Sequence, residues 1–363
     1  MLMKIDFAKL QFQYRLYKDE IDQAIHSVLD KSNYIMGEEV IKLERSLEVF
    51  TDAKYAISCG SGTDALMISL MALNIKPGDE IITTSFTFIA TSEVISLMGA
   101  HPIFVDIDDK TYNIDPNKIE EKITSRTKAI IPVSLYGQPS NIDAIQLIAK
   151  KYGLKIIIDG AQSFGSKFHD KTDSNLGDIS VTSFFPSKPL GCYGDGGAIF
   201  TNDENLANVI KSIRLHGQTE QYHHKYLGVC SRLDTLQAAV LRVKLKYYQK
   251  DLALRQKVAQ KYTEVLSSSE LILPFIEDAA TSSWAQYTVR TLNRNELQLK
   301  LKARGIPTAI YYPKPLHQQE VFKDIENKKN DLLISELASK EVLSLPMNPY
   351  LSDDEIEFIA EAI

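Results

Sequence analysis

The sequence predicts an α/β protein with a mostly parallel seven-stranded sheet in a large domain and a smaller α/β domain at the C-terminus. Three observations predict it. Seven short apolar runs occur between residues 55 and 201, helical patterns lie between most of them, and the order of elements changes after residue 273. Strands that alternate with helices form parallel sheets covered on both faces. A length of 363 residues exceeds one average domain, so a second core can form.

Taken in order, residues 17–29 and 38–50 read as amphipathic helices, joined around 32–37. Candidate strands follow at 55–58, 80–83, 101–105, 129–133, 155–158, 179–184 and 198–201. Helical patterns include 65–73, apolar all round, and 141–152. Residues 234–262 form a long helical pattern carrying Leu236, Val240, Val243 and Leu245. A strand at 287–291, a helix at 297–304 and a Pro-punctuated segment then suggest the smaller domain. The reading divides the chain into 1–245 and 246–363.

Composition narrows the class. Apolar residues make up 44% and charged residues 24%, as in soluble globular enzymes. A net charge of −6 argues against a general nucleic-acid binder, and no apolar run approaches a membrane span. The first ten residues lack the apolar core of a signal peptide. Three cysteines, Cys59, Cys192 and Cys230, fit a reducing cytosol and suit no metal site. His216, His223 and His224 come without an acid cluster, so no metal is expected. The expected location is the cytoplasm.

Three segments carry chemistry. Lys188 follows an apolar strand-like run and precedes Gly191-Cys192-Tyr193-Gly194-Asp195-Gly196-Gly197. A lysine partly desolvated beside dense backbone has a lowered pKa and becomes nucleophilic toward an aldehyde. About thirty residues earlier stands Asp159-Gly160-Ala161-Gln162-Ser163, with Asp159 at a strand's C-terminal end, where open α/β sheets place ligands. An acid there either caps the next turn or pairs with a cationic ring nitrogen such as a pyridoxal phosphate pyridinium. The third is Gly60-Ser61-Gly62-Thr63, small residues running from a strand into a helix. Such a helix start presents free N–H groups and a positive dipole end to a phosphate. It is neither a Walker loop nor a Gly-x-Gly-x-x-Gly fingerprint.

With these residues in place, the chain resembles the DegT-type nucleotide-sugar aminotransferases, fold-type I pyridoxal phosphate enzymes, from about Asp6 to Pro349. The likeness runs through Gly62-Thr63-Asp64-Ala65-Leu66, Ser85-Phe86-Thr87-Phe88-Ile89-Ala90-Thr91, the Asp159 segment, residues 183–188 and Gly194-Asp195-Gly196-Gly197. Residues 183–203, Tyr222-His223-His224 and 231–239 resemble the branch that aminates UDP-2-acetamido-2-deoxy-3-oxo-glucuronate, with bacterial O-antigen as destination. Relatives acting on 3-keto or 4-keto-6-deoxy dTDP- or UDP-sugars are the alternative.

The resemblance implies pyridoxal 5′-phosphate as cofactor, held covalently by Lys188. Gly62, Thr63 and Ser183 would take the phosphate, Phe88 would lie over the ring from a β-like run, Gln162 would reach the ring hydroxyl and Asp159 the ring nitrogen. Ser32, Tyr34, Ser187, Arg232, Tyr311, Tyr312 and His317 would line the nucleotide-sugar site, with glutamate as amino donor. Arg232, read as beginning a helix, suits a carboxylate or diphosphate, or else pairs with Asp234. The resemblance further implies a homodimer with shared active sites. Cys230 stands where the family commonly has an Asn that reaches the neighbouring subunit's cofactor phosphate, and a thiol is the poorer donor. A dehydratase of the same family would carry His in place of Lys188. A non-catalytic member would need Lys188, Asp159 and Gln162 disrupted, and all three are present.

Overall fold

A computed structural model describes residues 5–325 and 331–363. Three helices open the chain, α1 (Leu10–Leu16), α2 (Lys18–Lys31) and α3 (Glu38–Thr51). Helix α1 is absent from the sequence reading. It buries only Gln13 and exposes Leu10 and Leu16, so no apolar stripe announces it.

The central sheet contains β1 (Tyr55–Cys59), β2 (Glu80–Thr84), β3 (His101–Val105), β4 (Thr127–Ile131), β5 (Lys155–Asp159), β6 (Ile179–Ser183) and β7 (Gly197–Thr201). Their spatial order is β1-β7-β6-β5-β4-β2-β3. Pairs β2–β3, β2–β4, β4–β5 and β5–β6 are parallel, whereas β7 runs antiparallel to both β6 and β1. Strand β4 ends two residues before the expected Val133, because Pro132 has no N–H for a ladder bond. Its carbonyl still accepts from the amide of Asp159 at 2.9 Å.

Alternate strand residues face opposite sides, and each side is covered. Ile81, Ile131, Ile157, Ile179 and Ile199 pack against α4 (Gly62–Ala72), α5 (Ala90–Leu97) and α7 (Glu204–Ile213). On the other face, Ile82, Ile130, Ile156 and Ile158 meet α6 (Ile142–Tyr152). Near-continuous apolar strands follow from this double coverage.

Helix α8 (Thr235–Leu266) has 32 residues and joins two cores. Ala238, Leu241 and Tyr248 pack with α3 against Phe184 and Phe200, whereas Val258, Tyr262 and Leu266 pack with Val289, Leu343 and Ile356. The division at 245/246 therefore falls inside one continuous helix. The second core is built from α9 (Arg294–Ala303), the last helix (Asp353–Ala360, α11) and an antiparallel pair, β8 (Tyr287–Arg290) with β9 (Val342–Leu345), whereas α10 (Leu333–Glu341) packs Ala338 with Phe86, Ile107 and Val133. Ile5 also packs into this second core. Among the described residues no helix is long and apolar enough to cross a membrane.

Candidate active site

Strand β5 ends at Asp159, which is 4% exposed. Its carboxylate would be costly to bury alone. Thr91 Oγ1, in the first turn of α5, donates to Oδ2 at 2.7 Å, and the Ala161 amide donates to Oδ1 at 3.2 Å. Burial pushes the Asp159 pKa up, while Thr91, Ala161 and the nearby charge of Lys188 oppose the rise.

Strand β6 leads to Lys188 through a tight turn closed by the Lys188 amide on Phe185 O at 2.9 Å. A Cβ on Gly191 would meet Pro186 O at 2.5 Å, so only glycine fits that fold-back. Buried Lys244 braces it, donating its Nζ to Gly191 O and lying over the Tyr193 ring at 5.1 Å. The Lys188 side chain stays partly accessible, yet its surroundings lower its pKa, and attraction to Asp159 partly offsets this. A lowered pKa raises the fraction of neutral, nucleophilic amine.

The third component is the start of α4. Ser61 caps the helix, its side chain accepting from Asp64 N at 3.0 Å. Ser231 Oγ donates to Asp64 Oδ2 at 2.8 Å and accepts from Gly60 N at 3.0 Å, tying this loop to the segment before α8. A Cβ on Gly62 would lie 2.8 Å from Ser183 Cβ, so the helix start and the end of β6 touch through bare backbone.

These parts enclose a cavity of about 450 Å³. Gly62, Thr63, Phe88, Asp159, Gln162 and Ser183 line it, joined by Ser187, Lys188, Tyr311 and Tyr312. Gln162 is held at both ends, its Oε1 accepting from Tyr136 N at 2.9 Å and its Nε2 donating to Tyr312 Oη at 3.1 Å. Phe88 does not lie in a strand, as its sequence suggested. β2 ends at Thr84, and Phe88 sits in the loop before α5, 55% exposed, its ring 6.2 Å from that of Tyr312. Sequence reasoning missed Thr91 and Asp195 in the lining. Both stand in motifs that were singled out, but only the fold shows that Thr91 meets Asp159.

Five expected residues lie outside this cavity's lining. Ser32 ends α2, and Tyr34 is 45% exposed with its Oη 3.4 Å from Ser32 Oγ. Cys230 is an exposed free cysteine. Arg232 does not begin a helix: it precedes the α8 cap Asp234 by two residues, and its Nη2 approaches Cys230 Sγ at 3.0 Å, whereas no ion pair with Asp234 forms. His317 instead pairs through Nε2 with Glu336 at 3.1 Å. Among the described residues no group of three or more His, Cys, Asp or Glu could hold a metal ion.

The family model for the DegT/DnrJ/EryC1/StrS aminotransferase family matches residues 16–363. The chain belongs to this family. Among curated relatives, a Pseudomonas aeruginosa protein named UDP-2-acetamido-2-deoxy-3-oxo-D-glucuronate aminotransferase is 53% identical over 359 residues, covering 99% of each chain. A DegT DnrJ EryC1 StrS aminotransferase from Brucella abortus superimposes with a TM-score of 0.96 at 40% identity, covering 99% of this chain and 98% of that one. The ntda protein of Bacillus subtilis, solved with bound cofactor PMP, gives a TM-score of 0.92 at 32% identity over 100% of this chain and 85% of that one.

The residues of this DegT-family chain fit such a cofactor. The bare backbone at Gly62 and the α4 N-terminus suit its phosphate, buried Asp159 suits a protonated ring nitrogen, and Lys188 offers the amine for the aldehyde of its pyridoxal phosphate form.

Proposed function

We propose that this chain is a pyridoxal phosphate-dependent aminotransferase that moves an amino group from glutamate to UDP-2-acetamido-2-deoxy-3-oxo-glucuronate, giving the 3-amino sugar. The observation that carries the substrate is the 53% identity, over 99% of both chains, to the Pseudomonas aeruginosa enzyme of that name. The buried Asp159 facing the same cavity as Lys188 supports the chemistry.

The bound cofactor supplies an electron sink for the carbon that gains or loses a proton. Asp159, whose carboxylate accepts from Thr91 and the Ala161 amide, would face the ring nitrogen and favour its protonated form. Lys188 would carry the proton to and from the reacting carbon, its amine lying in the cavity with a pKa lowered by burial. Gln162 and Tyr312, hydrogen-bonded to each other, hold one wall of the site.

Cys230 and Arg232 lie outside their own chain's cavity, and the accessible thiol of Cys230 supports a homodimer in which both serve the neighbouring site. There the Arg232 guanidinium holds the diphosphate or the uronate carboxylate. No cysteine is in a disulfide, which supports a cytoplasmic enzyme. A UDP-linked amino sugar is an activated glycosyl donor, so the product feeds surface polysaccharide such as O-antigen.

The test is purified protein with pyridoxal phosphate, glutamate and a panel of 3-oxo and 4-oxo nucleotide-sugars, with products read by mass spectrometry. The proposal expects the 3-oxo-glucuronate to be aminated with the highest kcat/KM. Preference for a 4-oxo or uncharged sugar would overturn the substrate.

A further inference from the structure

Beside the main cavity lies a second one of about 110 Å³. Gln162, Ser187, Lys188, Tyr311 and Tyr312 line both, so the two spaces meet at the same amine. The remaining wall includes Gln13 from α1, Arg255 from α8, Gln286 just before β8, and Tyr350.

Arg255 is 7% exposed. Its Nη1 donates to Trp284 O at 2.9 Å, but its buried Nε has no hydrogen-bond partner. Asp251, one turn earlier on α8, is the obvious counter-charge. Its carboxylate is instead engaged by Gln13 Nε2 at 3.2 Å and by Tyr350 Oη at 3.0 Å, and among the described residues no ion pair to Arg255 forms. A buried guanidinium without a paired anion is costly unless a ligand completes it. Burial accordingly lowers the pKa of Arg255, with Asp251 opposing the change only from a distance. Gln286 lines the same wall; its buried Oε1 has no partner and can only accept, so the donor it offers a carboxylate is its Nε2. The planar fork of arginine matches a carboxylate.

We propose that this side cavity is a carboxylate subsite, with Arg255 as its cation and Gln286 beside it, holding a carboxylate within reach of the Lys188 amine. The inference rests on the aminotransferase reading, in which both glutamate and the uronate sugar carry a carboxylate. One water needs only about 10–15 Å³ of such space, so there is room for a short chain ending in a carboxylate.

The test uses the holoenzyme as wild type, Arg255→Lys and Gln286→Leu. Two unreactive probes, glutarate and UDP-glucuronate, are titrated by calorimetry, with UDP-N-acetylglucosamine as the carboxylate-free control. Glutarate binding weakened about tenfold or more in Arg255→Lys assigns the subsite to the amino donor, as expected when a desolvated charge pair loses its geometry. The same loss for UDP-glucuronate, but not for the control, assigns it to the sugar. Gln286→Leu should weaken the same probe, and it decides alone if Arg255→Lys does not fold. Unchanged binding of both probes in the folded variants, or no carboxylate-dependent binding by wild type, overturns the subsite. Arg255-dependent glutarate binding by a wild type that aminates no keto sugar would retain the subsite and remove the substrate reading. Normal amination with Arg255-independent binding would do the reverse.

Discussion

Thr91 Oγ1 and Asp159 Oδ2 lie 2.7 Å apart although 68 residues separate them in the chain. The contact joins the first turn of α5 to the end of β5 and opposes the rise in pKa that burial imposes on the carboxyl. Thr91→Val should cost about 1.5–3 kcal/mol of support for that charge, the usual value of a hydrogen bond to an ionised group. Losing the donor raises the Asp159 pKa further, so the acid limb of the kcat/KM profile should move to higher pH. Asp159→Asn should cut kcat at all pH values while leaving the fold intact, because an amide cannot balance the ring charge. A fully active Asp159→Asn enzyme would reduce the acid to a turn cap.

Gly62→Ala should loosen the cofactor site. The added methyl would lie 2.8 Å from Ser183 Cβ, and neither atom is the end of a flexible chain. Overpacking of this kind costs about 1–3 kcal/mol, and here it moves the α4 start away from β6. Equilibrium dialysis should show weaker cofactor retention together with a lower Tm. Wild-type retention would mean that the helix start does not contact the phosphate.

Asp173 gives a pH signature. Its carboxyl is buried, accepts from Ser134 and Ser163, and is pushed up to about 7, chiefly by burial. Between the ordinary carboxylate range and that value the folded protein binds a proton that the unfolded chain has released. Stability from this group is therefore full at low pH and is lost as pH rises toward 7. Asp173→Asn should flatten the decline of stability over that window, as measured by urea unfolding at a series of pH values. An unchanged slope would mean that another group carries it.

Much of this architecture was legible because the sheet is buried on both faces. The β-branched runs of β2 and β5 have nowhere else to go, and the site residues stand at strand ends: Gly62 after β1, Asp159 at the end of β5 and Lys188 after β6. Short, weakly amphipathic α1 and the pairing of β8 with distant β9 left no local trace. The loop position of Phe88 is hidden in the sequence because the alternating Ser85-Phe86-Thr87-Phe88 run looks like strand until β2 is seen to stop at Thr84. Thr91 and Arg255 were invisible as site residues because each acts through a contact made only by the fold.

Subunit exchange tests the placement of Arg232 outside its own cavity. Lys188→Ala and Arg232→Ala should each be inactive alone. Mixed and allowed to exchange, they should regain activity, since one hybrid site keeps both residues. A monomer in sedimentation, or no recovery after proven exchange, would confine the site to one chain.

The most direct test of the central claim is the near-ultraviolet and visible absorbance of purified, cofactor-loaded protein before and after glutamate, in wild type and Lys188→Ala. The account predicts a band in wild type that glutamate bleaches. In a folded Lys188→Ala variant it predicts a band displaced from the outset, with no turnover. A Lys188→Ala protein with the wild-type spectrum and near wild-type transamination would contradict the account at its centre.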